Sequence, residues 1–187
     1  MMLKIEIPLD DALKRINFMF KNNEILTECI KNYEGFSILG ESFGPFEKGK
    51  RYKIRYFAAI PFIERNILTI SVDEKCDDKD IQRFAVDEVN VGEVLTKQED
   101  PFFLTKLKEY RLIMEKNVNE RTIPKIDLDR YNSYTSNYID NRLIKILKLS
   151  KTDISLDDEK KLTNSENVLF KIVSKIIRNW RKYFSSN

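Results

Sequence analysis

Gly44-Pro45-Phe46-Glu47-Lys48-Gly49-Lys50 matches the first seven positions of a phosphate-binding loop, a cradle of backbone N–H donors at the start of a helix. Three features oppose that chemistry. Pro45 removes one N–H donor, Arg51 stands where a magnesium-binding Ser or Thr belongs, and the segment runs into a strand pattern, so no helix N-terminus faces a phosphate. A tight turn between strands accounts for it better. The acidic clusters Asp77-Asp78-Lys79-Asp80 and Asp157-Asp158-Glu159 hold enough carboxylates for a magnesium site. They sit where helices begin, however, and acids there complement the helix dipole. The chain has no histidine, which removes Ser-His and Cys-His nucleophile pairs, His metal sites and His acid–base work. Its 2 cysteines, Cys29 and Cys76, are too far apart for a CxxC site and too few for a zinc cluster. The expectation is no catalytic residue, no cofactor and no metal.

The elements that would position a site follow from composition and spacing. The chain has 187 residues, Lys+Arg 33 against Asp+Glu 30, and 42% hydrophobics, enough for a core without disulfide or metal support. No apolar run approaches the ~20 residues of a membrane span. Lys4, Glu6, Asp10 and Asp11 interrupt the stretch where a secretory signal would be apolar. The chain is therefore expected to be intracellular, with no membrane partner. Of 5 glycines, Gly35, Gly40, Gly44 and Gly49 fall in the first fifty residues, so the first part should be turn-rich and the rest helical.

Leu13, Ile16 and Phe20 predict a short amphipathic helix over 11–21, capped by Asp10. Strands are expected over 24–30, 36–39, 50–56 and 67–72. The clearest is 50–56, where Tyr52, Ile54 and Tyr56 face one side and Arg51, Lys53 and Arg55 the other. From Asp77 the period shifts to that of a helix, carrying Ile81, Phe84 and Ala85. Asp100-Pro101 predicts a second helix start, with Leu104, Leu107, Arg111 and Met114 along it. A longer helix should open at Asp127 or Asp129, with Tyr131, Tyr138, Arg142, Ile146 and Leu149. Thr163 and Glu166 form a capping box for the last helix, whose stripe is Leu169, Ile172, Ile176, Trp180 and Tyr183. The fold class is α+β: a small N-terminal β-rich domain with a short helix, residues 1–60, then a larger α-helical bundle domain, residues 61–187.

Three surfaces stand out. The basic strand face (Lys48, Lys50, Arg51, Lys53, Arg55) is a candidate nucleic-acid contact, or a solvated sheet edge kept from aggregating by its charge. The last helix carries Lys171, Lys175, Arg178, Arg181 and Lys182 with no acid after Glu166. Its large aromatics Trp180, Tyr183 and Phe184 point to a protein interface, beside the plainer reading of a core-facing helix with a solvated basic back. Arg142 lies on an apolar helix face, where an unpaired charge is very costly. It therefore requires an acidic partner, in this chain or in another.

Read in order, the motifs resemble those of the GINS family of replication proteins. The likeness is to the Psf-two or Psf-three kind, in which a small β domain precedes the helical one. The order is Ile38-Leu39-Gly40, Gly44-Pro45-Phe46, Tyr52-Lys53-Ile54, then the apolar Tyr56-Phe57-Ala58-Ala59-Ile60. Asp100-Pro101-Phe102-Phe103, Ile123-Pro124-Lys125, Asp140 to Lys145 and Leu162-Thr163 with Glu166 continue it. Arg55, Phe57 and Pro61 depart from the pattern, and Pro61 implies a short or kinked helix there. Such divergence in a compact chain points to an archaeal member. The resemblance implies a non-enzymatic scaffold forming a heterotetramer, two copies of each, with the sister GINS subunit. It implies association with the MCM helicase and a RecJ-like or Cdc-type partner, links to primase and DNA polymerase, and weak or indirect DNA contact. The expected subunit contacts are Phe102, Phe103, Tyr138, Arg142, Ile146, Ile176, Trp180 and Tyr183. The rival readings are a nucleic-acid-binding module using the basic strand and last helix, and, more remotely, a metal-dependent enzyme using the Asp clusters.

Overall fold

The computed structural model describes residues 6–38 and 40–185. The protein is α+β, with a small sheet followed by a helical region. Helix α1 (Glu6–Lys21) leads into strand β1 (Glu24–Cys29), the hairpin β2 (Phe36–Ile38) and β3 (Glu41–Phe43), strand β4 (Arg51–Arg55), helix α2 (Tyr56–Glu64) and strand β5 (Leu68–Ile70). Helices α3 (Asp78–Asn90), α4 (Phe103–Asn119), α5 (Lys125–Leu149), the single turn α6 (Leu156–Glu159) and α7 (Asn164–Ser185) complete the chain.

The chain forms two compact units, Phe18–Lys75 and Cys76–Asn187, the latter grouped with the residues up to Asn17. This division differs from the expected one at residue 60. The reason lies in α2 and β5, which belong to the sheet: β5 pairs antiparallel with β1, and Phe62 and Leu68 are buried beside Cys29 and Phe46. Helix α1 also begins earlier than expected. Asp10 lies inside it rather than at its cap, and pairs with Lys14 one turn on at 2.6 Å.

In the sheet unit the order is β4-β1-β5, with β2-β3 a separate two-stranded sheet. The alternation foreseen for β4 is present, its odd-numbered residues exposed and its even ones partly covered. The last residue of the expected strand 36–39, and with it Leu39 of the family-like motif, lies outside the described residues. The phosphate-loop look-alike is a turn: Lys50 N–H donates to Glu47 C=O at 3.0 Å and the chain proceeds directly into β4. Gly35 and Gly44 both have positive φ and approach so closely that a Cβ on Gly35 would stand 2.6 Å from Phe43 O. Helix α2 is 9 residues long and holds Pro61 within it.

In the helical unit, α5 packs against α3, α4 and α7. Ile81, Phe103, Leu107, Tyr131 and Tyr138 form its main core, with Phe103 and Tyr138 in edge-to-face contact at 5.5 Å. Asp77 caps α3 through a reciprocal box with Asp80, and Ser155 caps α6, so both acidic clusters sit at helix starts. Asp100 accepts from Phe102 N–H at 2.7 Å, which makes Asp100-Pro101 the turn before α4 rather than its first residues. No described helix is long and apolar enough to cross a membrane.

Candidate interaction surface

Two features of the helical unit compete for a functional role: a closed cluster of four charges, and an open apolar ridge at the chain's end. Tyr131, Tyr138, Arg142, Lys145 and Ile146 share one face of α5, and packing against α3 and α7 buries all five. Arg142 is 1% exposed and Glu88, facing it from α3, is 0%. The guanidinium uses all its donors: Nε and Nη2 on the Glu166 carboxylate (Nη2 at 2.8 Å), Nη1 on Glu88 (3.0 Å) and Thr96 C=O (2.9 Å), and Nη2 on Lys161 C=O (2.9 Å). Lys145 Nζ donates to the Glu88 carboxylate at 2.7 Å, to Val94 C=O at 2.8 Å and to Glu88 C=O. Two cations meet two carboxylates with every ammonium and guanidinium donor placed, the condition under which buried charge is tolerated.

Burial by itself would raise the pKa of Glu88, but hydrogen bonds from Lys145 and Thr96 and the charge of Arg142 outweigh it and hold the carboxyl below its usual range. Burial likewise opposes the charge on Arg142 and is outweighed by Glu166, so the guanidinium stays charged. With no donor left for a ligand, the cluster ties α3, α5 and the root of α7 together.

The second feature begins at that root. Thr163 N–H donates to the Glu166 carboxylate at 2.8 Å, and the Thr163 hydroxyl accepts from Glu166 N–H, so the capping box doubles as an anchor for Arg142. Glu166, Phe170 and Ser174 then seat the helix on its own unit. Beyond Ser174 the cover thins: Ile177 is half-buried and Arg181 donates to Lys151 C=O at 2.6 Å, but the aromatic side is open. Ile176 is 42% exposed, Trp180 64%, Tyr183 79% and Phe184 68%. Trp180 and Tyr183 each pack a ring on Phe184, at 5.0 and 5.1 Å.

At about 100° per residue, the covered residues of α7 (Glu166, Phe170, Ser174) span about 80°, and the exposed apolar ridge (Ile176, Trp180, Tyr183) begins about 40° round from Glu166. The ridge therefore adjoins the seated face and continues, further along the helix, the direction of Leu169, which packs against the Phe170 cluster. Lys171, Lys175, Arg178 and Lys182 fall within about 60° of one another on the opposite side. An eleven-residue helix end is marginal in water without packing, and burying each large side chain on the ridge would contribute about 1.5–3 kcal/mol. What the ridge can do is associate.

Four of the expected subunit contacts are corrected by this geometry. Phe103, Tyr138, Arg142 and Ile146 are buried inside the chain's own helical unit. Their apolar periodicity reflects packing against α3, α4 and α7. Phe102 is half-buried just before α4. Ile176, Trp180 and Tyr183 do come together, joined by Phe184. Ile144 and Leu147, exposed on α5, escaped the sequence reading because they lie off its main stripe. Glu88 escaped as well, although its spacing from Ile81 and Ala85 places it on the buried side of α3.

The basic strand is partly neutralised: Lys50 pairs with Glu47 and Arg51 with Asp73, each at 2.7 Å, on exposed side chains. Cys29 and Cys76 are both free and buried, and burial, reinforced by Asp80, pushes the Cys76 thiol up to about 12. Among the described residues no group of three His, Cys, Asp or Glu is placed to hold a metal ion. Comparisons with protein-family models and with curated proteins find no match.

Proposed function

We propose that this protein is a non-catalytic scaffold subunit of the GINS kind, linking the MCM replicative helicase to other proteins at the replication fork and binding its sister subunit through α7. The observation that carries the reading is the Ile176–Trp180–Tyr183 ridge, an aromatic face of the composition that protein interfaces bury and that this chain's own seated side leaves open. The ordered family-like motifs and the succession of sheet unit and helical unit support it. So does the placement of Phe46, from the Gly-Pro-Phe motif, in the sheet unit's core. The test is co-purification of a tagged chain from its native cells. The sister GINS subunit and MCM should elute with it, and a Trp180→Ala/Tyr183→Ala chain should lose the sister subunit. If neither protein elutes with the unaltered chain, the reading fails.

The four-cation ridge of α7 favours a second reading, a nucleic-acid-binding module. Filter binding across a salt series separates the two, since a phosphate-driven binder loses affinity steeply with salt.

A further inference from the structure

Strand β4 is an edge strand, and its outer side is open. Cys29 N–H donates to Lys50 C=O and Tyr56 N–H to Asn23 C=O, each at 2.9 Å, so the even-numbered residues turn their backbone groups toward β1. Leu26, which stands opposite Lys53, accepts instead from Ser71 N–H on β1's other side. Lys53 therefore aims its N–H and C=O away from the sheet. A cavity of about 510 Å³ lies against this edge, bounded on one side by Ser42–Phe46 and on the other by Tyr52–Arg55. Consecutive residues 52 to 55 all line it although their side chains alternate between faces, which places the cavity along the strand's edge rather than over one face.

The walls of the cavity are suited to a peptide. Phe57, 45% exposed, and half-buried Phe43 supply apolar surface, with Phe46 behind them in the core. Lys53 and Arg55 line it against the single carboxylate of Glu24, and the exposed Lys48 lies in the turn just before β4.

From these observations we infer that the open edge of β4 is a docking site for an extended acidic peptide segment of a partner protein, which adds as a further strand beside Lys53. Backbone pairing with Lys53 would supply affinity, alternate apolar side chains would enter the aromatic cavity, and carboxylates would meet Lys53 and Arg55. A nucleic acid fits less well, because its phosphates accept from an outward N–H but do not match the neighbouring C=O as a peptide does, and Lys50 and Arg51 are already paired. The inference is independent of the α7 reading and concerns the other unit.

The test uses the full chain and an eight-residue fluorescent probe alternating glutamate and valine, followed by anisotropy. Two further probes carry N-methyl groups on one or the other alternate set of amides. The acidic probe should bind at least ten-fold more tightly than a lysine–valine version. One methylated probe should lose at least ten-fold while the other retains binding, since only one set of amides faces β4. Lys53→Pro, at a position whose N–H the sheet does not use, should abolish binding with the circular dichroism unchanged, and Lys53→Gln should weaken it several-fold. Equal binding of the acidic and basic probes, or equal binding of both methylated probes and their parent, would overturn the inference whatever Lys53→Pro does to folding. So would a single-stranded oligonucleotide that displaces the acidic probe at lower concentration than unlabelled peptide.

Discussion

Replacing Arg142 by methionine keeps much of the side chain's volume and removes its charge and five donors. Glu88 then retains Lys145 and Thr96, but Glu166 keeps only the Thr163 N–H, and a site closed to water holds one carboxylate too many. Breaking a buried pair in this way costs about 3–5 kcal/mol, a large part of a typical folding free energy of about 5–15 kcal/mol. For a chain of this size the melting temperature should fall by roughly 6–20 °C. The pH dependence adds a signature. In the parent, Glu88 is held below the ordinary carboxylate range, so its contribution is complete above that range and is lost as pH falls through the folded-state value. In Arg142→Met, Glu88 loses one of the causes that hold it down and takes up a proton more readily when folded, so acidification relieves the excess charge. Parent and variant should therefore converge between pH 7.5 and pH 5. Urea unfolding followed by circular dichroism at 222 nm reads both effects, with Lys148→Met, which breaks the exposed Lys148–Glu93 pair, as a near-neutral control. A variant within about 1 kcal/mol of the parent at pH 7.5, or an equal deficit at both pH values, would refute the view that the cluster is a charge-balanced anchor.

Trp180→Ala should leave the unfolding midpoint of the isolated chain nearly unchanged, because the ring is largely exposed, while weakening association with a partner about 30-fold or more if it is an anchor residue; calorimetric titration measures the second effect. Phe103→Ala should do the reverse, destabilising the helical unit by about 3–5 kcal/mol in urea unfolding. Neither Cys29 nor Cys76 should react with a thiol reagent at pH 8 until denaturant is added, since both are buried and the Cys76 thiol is pushed up to about 12. Gly35→Ala should destabilise the sheet unit more than Gly49→Ala in thermal melts, because both have positive φ but only Gly35 would drive a Cβ into backbone.

Strand β4 was legible because strict alternation survives on an edge strand with one side wet. The last helix start was legible because Thr163 and Glu166 satisfy each other within one turn. Strand β3, with 3 residues, carries too short a pattern to read, and it exists by pairing with the equally short β2. The sequence demanded an acid for Arg142 but could not locate it: Glu88 and Glu166 lie 54 and 24 residues away, and tertiary packing alone chooses between an internal and an external partner. The same ambiguity governed Phe103, Tyr138 and Ile146. Periodicity marks a face that must be covered and is silent about which chain covers it, so these core residues and the exposed Trp180 and Tyr183 look alike before folding.

Sedimentation velocity on the 22.2 kDa chain, alone and mixed with the GINS subunit proposed as its sister, tests the central claim most directly. The account predicts a larger mixed species in the parent and its loss in Trp180→Ala/Tyr183→Ala. A chain that sediments as the same monomer with and without the sister subunit would contradict it.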